Sequence, residues 1–291
     1  MHDKAWAVLL AQAEMLDPPL LRGLATPLEP EELRAPSAAA RVAEVLAGWP
    51  EWARSRFTMK PRIGTSSRGR VAGLDGRVSD AMQGAFERLA SRGGAVLEPW
   101  MDRLADVSAQ LHIAEDGTVT VLGALRIVTT GSGQPRGHRG ELDAEGQAST
   151  GLGEERALRE AAALAGKHAA AAGYNGPCGI DAFAFRSPED GVRSFRPLVE
   201  FNARFTAGTV ALGHLRRNLS RIEAELGLAP GEPSHFYIGR AAADDSLARR
   251  EGAVVVPLLG DRAPRAGAPV LFVARRRELV DEWLGAPEDL A

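Results

Sequence analysis

The chain has 291 residues, which is more than one compact core usually holds, so we expect two or three packed subdomains. Charged residues make up 25% with a net charge of −3, and the arginines are scattered, which argues against a nucleic-acid partner. A single cysteine, Cys178, excludes an internal disulfide framework. No apolar run is long enough for a membrane span, so we expect no membrane partner and a cytoplasmic location.

The first third of the chain predicts short helices joined to short strands. Apolar positions at helical spacing, the stop signal Asp17-Pro18-Pro19 and a helix end at Gly93-Gly94 define most of these elements. The predicted elements are helices over 3–16, 38–49 and 77–92, strands over 57–60 and 95–98, and a loop over 63–70.

The rest of the chain predicts hairpins alternating with helices. Asp116-Gly117 and Asp190-Gly191 are typical hairpin turns, and residues 130–150, rich in Gly, Ser and charge, predict a mobile loop. The predicted elements are strands over 107–113, 118–128, 179–185, 195–202, 254–259 and 269–274, helices over 154–172 and 209–226, and a terminal helix. This mixture predicts the α+β class with antiparallel sheets.

Three oxygen-bearing side chains flank the second turn. Side chains alternate along a strand, so Glu200 and Asn202 point to the same face. If Asp190-Gly191 is a two-residue turn, the register sets Asp181 opposite Glu200, with Cβ atoms roughly 5 Å apart. Facing carboxylates repel and need a compensating proton, base or cation, and the Asn202 amide adds a third hard oxygen ligand. The pattern therefore predicts a divalent-cation site on Asp181, Glu200 and Asn202.

A solvated hairpin with incidental acids is the alternative, because a bulge easily shifts the register. The neighbouring residues weaken this alternative, since they describe a core sheet in which unpaired carboxylates are costly. These apolar neighbours are Ile180, Phe183, Phe185, Leu198, Val199 and Phe201.

Residues 179–182 and the run Val199-Glu200-Phe201-Asn202-Ala203-Arg204 resemble the metal-binding end of the ATP-grasp superfamily. The Glu-x-Asn-x-Arg form is similar to that of biotin carboxylase, and the order Asp, then Glu-x-Asn, to that of D-alanine–D-alanine ligase. The resemblance implies that Asp181, Glu200 and Asn202 hold Mg²⁺ against the ATP phosphates, with Mn²⁺ as the alternative ion. It also implies that Arg204 contacts a phosphate or the anionic substrate.

The resemblance extends to two lysines upstream. His2-Asp3-Lys4 resembles the Asp-Lys element that starts the nucleotide lobe, and Lys60-Pro61 resembles the second lysine strand. Two lysines on separate elements suit a triphosphate, which they can bracket as point charges. The resemblance implies that a loop covers the phosphates. A plain flexible turn is the alternative interpretation of this loop. The residues expected there are Gly64, Thr65, Ser66 and Ser67.

A third segment, Glu98-Pro99-Trp100-Met101, resembles the hinge between the lobes of the family. The resemblance implies that Glu98 and Met101 lie at the adenine and that Asp106 binds the ribose hydroxyls. Core packing by the apolar hinge residues is compatible with this role. A lone acid before a strand is common, so an incidental Asp106 is the alternative.

The resemblance covers about residues 1–225 and implies the ATP-grasp fold, in which two α+β lobes with antiparallel sheets grip ATP. It divides the chain into an N-terminal helix with the first nucleotide lysine, a lid lobe, a metal-binding lobe and a C-terminal segment. The corresponding ranges are 1–19, 20–97, 98–225 and 226–291. Family members commonly carry an α/β domain before the Asp-Lys element, so we expect a longer protein, a homo-oligomer or a partner subunit to replace it.

The activity implied is that of an ATP- and Mg²⁺-dependent ligase. Such an enzyme activates a small-molecule or peptide carboxylate as an acylphosphate, which an amine or another nucleophile attacks with release of ADP and phosphate. Arg204, Arg126 and Arg139 are the candidates for neutralising the developing charge, the last two on position and charge alone. A solvated surface role is the alternative for Arg139. An ATP-grasp kinase and a catalytically silent ATP-binding subunit remain the alternatives for the whole chain.

Overall fold

The structure is a computed structural model that describes residues 3–64, 69–130, 134–143, 145–229, 232–240, 251–259 and 267–285. Within these ranges, no helix combines the length and the apolar character that crossing a membrane requires.

α-Helices and antiparallel strands form the regular secondary structure of the described parts of the chain. The α-helices there are α1 (Lys4–Ala13), α2 (Pro30–Arg34), α3 (Ala38–Ala47), α4 (Glu51–Ser55), α5 (Asp80–Gln83), α6 (Phe86–Ala90), α7 (Glu155–Ala171), α8 (Ala207–Leu226) and α9 (Arg277–Leu284). The strands are β1 (Thr26–Leu28), β2 (Arg56–Pro61), β3 (Val71–Leu74), β4 (Ala95–Pro99), β5 (Arg103–Ile113), β6 (Val119–Thr129), β7 (Pro135–Leu142), β8 (Ala148–Ser149), β9 (Gly176–Arg186), β10 (Arg193–Asn202), β11 (Ser234–Arg240), β12 (Ala253–Pro257) and β13 (Pro269–Ala274). The predicted α+β class with antiparallel sheets is confirmed.

The chain divides into two compact units. The first contains Met1–Leu104 and Asp181–Asn202, and the second contains Ala105–Ile180 and Ala203–Ala291. The four-part division predicted from the sequence follows function rather than compactness and stays a prediction.

The first unit is built on the four-stranded sheet β1-β4-β2-β3, and it also holds β10 with the adjoining part of β9. Phe57 and Met59 of β2 and Leu97 of β4 are fully buried, together with Val42 and Leu46 from one face of α3. Apolar residues at helical spacing in α3 and at alternate positions in β2 thus form one core.

The second unit is built on an antiparallel sheet in the order β9-β5-β6-β7-β11-β13-β12, with β8 added beside β7. Leu212 and Leu215 of α8 belong to the core on one face of this sheet. On the other face, Trp283 of α9 stacks on Phe272 of β13 with ring centroids 4.4 Å apart. Thr206 starts α8 by accepting a hydrogen bond of 3.0 Å from the Thr209 N–H, as its capping sequence requires.

The single helix predicted over 77–92 is wrong, because the segment forms the two short helices α5 and α6. Gly84 follows α5, and the Ala85 N–H bonds the carbonyl of Met82, three residues back, which ends the α-helical ladder. The glycine makes this interruption inexpensive. Met82, Phe86 and Leu89 are nevertheless buried, so the predicted apolar face is present.

The mobile loop predicted over 130–150 is also wrong where the structure describes it, because β7 and β8 occupy much of it. A side chain on Gly137 would put its Cβ 2.4 Å from the carbonyl oxygen of Ile238, and one on Gly140 would lie 2.3 Å from that of Ser149. These glycines therefore permit close strand packing, whereas the sequence pattern suggested loop flexibility.

The turn between β9 and β10 is longer than predicted. The Ser187 N–H bonds the Val192 carbonyl at 2.9 Å, and the Gly191 N–H bonds the Ser187 carbonyl, so four residues form the turn rather than two. The Asp190 carboxylate accepts a hydrogen bond of 3.0 Å from the Val192 N–H, and this local bond competes with the two-residue turn.

Candidate functional site

The three predicted metal ligands lie on two neighbouring strands, within the first unit. Asp181 belongs to β9, and Glu200 and Asn202 belong to β10. The Nδ2 atom of Asn202 donates a hydrogen bond of 3.1 Å to Oδ2 of Asp181. Asn202 is buried, whereas the side chain of Glu200 is 25% exposed. The structure therefore brings Asp181 and Asn202 into direct contact, and it leaves Glu200 accessible.

The first predicted phosphate lysine meets Glu200. Lys4 Nζ lies 3.1 Å from Glu200 Oε1 and donates a hydrogen bond of 3.0 Å to the carbonyl oxygen of Gly64. Lys4 is the first residue of α1, because Asp3 caps the helix by accepting a hydrogen bond of 2.8 Å from the Ala5 N–H. The Asp-Lys pair thus places a lysine at the helix start, from which its ammonium reaches β10.

The predicted phosphate loop is described at its two ends. Gly64 contacts Lys4, as above, while Thr65, Ser66 and Ser67 lie outside the described residues.

The oxygen atoms of this site suit magnesium chemically. Mg²⁺ prefers hard oxygen ligands and usually takes one or two carboxylates, with water and substrate phosphates completing its coordination. Asp181 and Glu200 offer the two carboxylates and Asn202 an amide oxygen. Among the described residues, no group of three or more His, Cys, Asp or Glu side chains is arranged to hold a metal ion. The mixed set of two carboxylates and one amide offers the hard oxygen donors that Mg²⁺ prefers.

A second cluster of the first unit joins the other predicted lysine to the predicted hinge. The Lys60 ammonium, on β2, forms an ion pair with Oε1 of Glu98, on β4. The other oxygen, Oε2, lies 3.1 Å from Nη1 of Arg196, and Nε of Arg196 donates a hydrogen bond of 2.9 Å to Oδ1 of Asp17. Glu98 and Arg196 are each 4% exposed and Asp17 is 3% exposed. Four alternating charges therefore form a buried chain.

The protonation states in this chain follow from burial and from the adjacent charges. Burial by itself raises the pKa of the Glu98 carboxyl, but the charges of Lys60 and Arg196 outweigh it and lower the pKa to about 2. Burial lowers the pKa of the Lys60 ammonium, against the opposing effect of Glu98, and it raises the pKa of Asp17. Glu98 is therefore ionised at neutral pH, with a cation at each carboxylate oxygen.

Arg196 and Asp17 were not predicted from the sequence as site residues. Asp17 was interpreted as part of a helix stop. Arg196 lies on the same strand as Glu200, but outside the motif that predicts the metal site. One usable signal was the position of the arginine in a strand of the predicted core sheet, because a charged residue is rarely buried there without a partner.

The lysine content of the chain is a further signal. The chain has 35 lysine and arginine residues, and only three of them are lysines: Lys4, Lys60 and Lys167. Lys4 and Lys60 are the two that the motifs single out, and both form buried or half-buried ion pairs with glutamates. Lysine is rare in this chain, and two of its three occurrences fall at the predicted phosphate-contacting positions.

The hinge residue Met101 lies in the core of the first unit. It packs in one buried cluster with Leu21, Phe183 and Phe185. Its side chain therefore has a packing role, which the sequence reading had allowed alongside adenine contact.

The remaining candidates belong to the second unit. Asp106 lies half-buried on β5. Arg126 of β6 and Arg139 of β7 are buried cross-strand partners, and Nη2 of Arg139 lies 2.6 Å from Oδ1 of Asp281 on α9. Facing like charges are unfavourable, and Asp281 offsets them. A solvated surface role for Arg139 is therefore wrong.

Arg204 is exposed, and its Nη1 donates a hydrogen bond of 3.2 Å to the carbonyl oxygen of Phe205.

Comparison with known proteins finds similarity of fold to solved structures. No family model matches the sequence, and no curated protein matches it either. The structure of N5-carboxyaminoimidazole synthetase from Staphylococcus aureus in complex with ADP matches 100% of this chain and 71% of that chain, at 9% identity and a TM-score of 0.54. The biotin carboxylase of Campylobacter jejuni in a β,γ-ATP complex matches 94% and 62%, at 16% identity and a TM-score of 0.55.

A further match is the biotin carboxylase domain dimer of the Hydrogenobacter thermophilus 2-oxoglutarate carboxylase, in complex with MgADP, ADP and bicarbonate. It covers 98% of this chain and 65% of that chain, at 15% identity and a TM-score of 0.57. The chain thus spans 62–71% of the length of these three proteins. At identities this low, the matches show a shared fold and nothing more. The chain therefore has the ATP-grasp fold, in agreement with the resemblance of its sequence motifs.

Proposed function

We propose that the chain is an ATP- and Mg²⁺-dependent ligase that activates a carboxylate as an acylphosphate for attack by an amine or another nucleophile. The observation that carries the proposal is the contact of Lys4 with Glu200 beside the Asp181–Asn202 pair, in a chain with the ATP-grasp fold. These contacts support the proposal, because binding a metal–triphosphate complex requires oxygen ligands for the metal and a positive charge for the phosphates.

The proposed roles follow from the charges of these groups. Asp181, Glu200 and Asn202 would hold Mg²⁺, or Mn²⁺, which accepts the same oxygen donors. The bound ion would draw charge from the transferred phosphoryl group. Lys4 and Lys60 would bind phosphate oxygens as compact positive charges, and the 64–67 segment would cover them.

The base and the substrates would be bound by the remaining candidates. Glu98 and Met101 mark the backbone proposed to meet the adenine, and Asp106 is the proposed ribose ligand. Arg126, Arg139 and Arg204 would stabilise the charge that develops on the acyl group and phosphate, where a pre-oriented cation is most effective. The burial of Arg126 and Arg139 supports this role, because charges interact more strongly away from water.

The experiment that tests the proposal measures ADP release by the purified protein with Mg–ATP and pools of carboxylic acids and amines. Bicarbonate belongs in the acid pool, because the H. thermophilus structure contains it. A ligase requires both an acid and an amine or another nucleophile, and it forms phosphate and a condensed product in step with ADP. The Glu200→Gln variant serves as the matched control, since it keeps the shape of the side chain and loses its charge.

Two other outcomes would replace the proposal. ADP formed without an amine, together with a stable phosphorylated acid or alcohol, identifies a kinase. Mg–ATP binding by calorimetry without turnover in any pool identifies a silent ATP-binding subunit. We also propose a homo-oligomer or a partner subunit, on the precedent of the dimeric H. thermophilus domain, and light scattering of the purified chain tests the first of these.

A further inference from the structure

Two buried residues outside every candidate set extend the contact between Lys60 and Glu98. Arg196 lies on β10, and Asp17 follows α1, 179 positions away in the sequence. Nε of Arg196 lies 2.9 Å from Oδ1 of Asp17, and Nη1 lies 3.1 Å from Oε2 of Glu98. One guanidinium therefore spans two carboxylates.

This geometry requires an arginine. The planar guanidinium holds several N–H donors in a rigid fork, so two of its nitrogens can reach different carboxylates at once. Lysine offers a single nitrogen on a flexible stem. Because Arg196 is anchored at Asp17, it can hold the Glu98 carboxylate in one orientation rather than follow its movement.

Glu98 transmits this constraint to Lys60. One carboxylate oxygen of Glu98 forms an ion pair with Arg196 and the other with Lys60. The carboxylate therefore cannot turn toward either cation without weakening its interaction with the other. A buried ion that loses its partner becomes costly, which makes such turning unfavourable. The Lys60 ammonium is the more exposed end of this row of four charges, and its position is thereby fixed by the buried groups behind it.

We propose that Arg196, anchored by Asp17, is a positioning residue of the nucleotide site: it orients Glu98, and Glu98 holds the Lys60 ammonium where it meets the phosphates. The last step rests on the proposed function, whereas the coupling of Arg196 to Lys60 does not. The competing explanation is that the four charges stabilise the fold and have no influence on the nucleotide.

The small number of lysines makes the coupling measurable without a ligand. Protein labelled with ¹⁵N and ¹³C in lysine alone gives three side-chain signals, from Lys4, Lys60 and Lys167. In Arg196→Met, we expect the Lys60 signal to move and its pKa to rise toward the ordinary lysine value, because a nearby positive charge is removed. The signal of Lys167, an exposed residue on α7, should not change. The matched control is Arg193→Met, which removes an exposed arginine from the same strand.

A second measurement separates positioning from folding. Arg196→Met leaves Asp17 buried without its partner, so it destabilises the protein, whereas Asp17→Asn/Arg196→Met removes both charges and should recover stability. We expect both variants to bind Mg–ATP about tenfold more weakly than the wild type, with adenosine affinity less affected. If Arg196→Met does not fold, the double variant carries both measurements.

Three results decide the proposal. A moved Lys60 signal with weakened ATP binding in the stable double variant supports it. An unchanged Lys60 signal in a folded Arg196 variant overturns the coupling, whatever the nucleotide affinities are. A moved signal combined with normal ATP binding by the stable double variant or by Lys60→Ala overturns the nucleotide step, and in the latter case also the role proposed for Lys60.

Discussion

Lys4 Nζ lies 3.1 Å from Glu200 Oε1, so a predicted phosphate ligand and a predicted metal ligand are in direct contact in this structure. The two residues are nearly 200 positions apart, and they meet because α1 packs beside β10, with the rings of Trp6 and Phe201 4.9 Å apart. A divalent cation bound to Glu200 would compete with Lys4 for the same carboxylate. We therefore expect metal and phosphate binding to depend on each other.

The first prediction concerns the metal ligands. Glu200→Gln and Asn202→Ala should each weaken the binding of Mg–ATP by about tenfold or more, because the first replaces a charged carboxylate ligand by a neutral amide and the second removes the proposed amide oxygen, while both leave β10 intact. Calorimetric titration with ATP, with and without Mg²⁺, measures the effect.

The control for this prediction is Glu189→Gln, an acid in the turn between the same strands. The amide oxygen can still accept the hydrogen bond from Nε1 of Trp52, which spans 3.1 Å to the glutamate. This variant should bind Mg–ATP like the wild type. Unchanged affinity in both Glu200→Gln and Asn202→Ala would remove the metal assignment.

The second prediction concerns Lys60. Lys60→Ala should weaken ATP binding by about tenfold, corresponding to about 1.4 kcal/mol for one lost charge-assisted contact. Glu98 retains Arg196 as a partner in this variant, so we expect the protein to fold. Lys167→Ala, at an exposed position on α7, is the control. Equal affinities of the two variants would mean that Lys60 does not contact the nucleotide.

The features that the sequence predicts correctly depend on local signals. The Asp3 cap and the apolar spacing of α1 identify a helix, and alternation along β10 places Glu200 and Asn202 on a common side. The motifs carrying the ATP-grasp resemblance are also short and contiguous. These features depend on a few neighbouring residues, so a single sequence contains them.

The parts that could not be predicted depend on distant residues. Nothing near Asp17 indicates that its partner is Arg196, because the fold alone brings β10 to the segment after α1. The glycines of β7 are a second case. Glycine is typical of loops, yet Gly137 is required here by the nearby backbone of Ile238, which lies on another strand.

The third prediction concerns the pH dependence of stability. Burial lowers the pKa of His138 to about 4, from an ordinary value near 6.5. Between these values the unfolded chain binds a proton that the folded chain does not, so stability falls as the pH decreases through this window. His138→Gln should remove this contribution, which amounts to about 2 kcal/mol at pH 5.

Urea unfolding of both proteins at pH 7.5 and pH 5 measures this effect. The wild type should lose more stability than the variant on acidification, because all other titrating groups are common to the two proteins. If the difference between wild type and variant is the same at both pH values, His138 is not buried in its neutral form.

The fourth prediction tests the strand that replaces the predicted loop. In Gly140→Ala, the new Cβ would lie 2.3 Å from the backbone oxygen of Ser149, which is too close to be relieved by a side-chain rotation. We expect a loss of about 1–3 kcal/mol in the free energy of unfolding, the usual cost of overpacking. A mobile loop would tolerate the same change, so this substitution distinguishes the two interpretations of the segment.

The matched control is Gly213→Ala, on the exposed side of α8, where an added Cβ has no neighbour within 4 Å. Alanine is the better helix former, so this variant should gain about 0.5–1 kcal/mol. Chemical denaturation of the two variants and the wild type gives the three free energies. Opposite signs are expected, because the same added methyl group meets backbone at Gly140 and solvent at Gly213. A neutral or stabilising effect of Gly140→Ala would show that β7 and β8 do not pack as closely in solution as this structure has them.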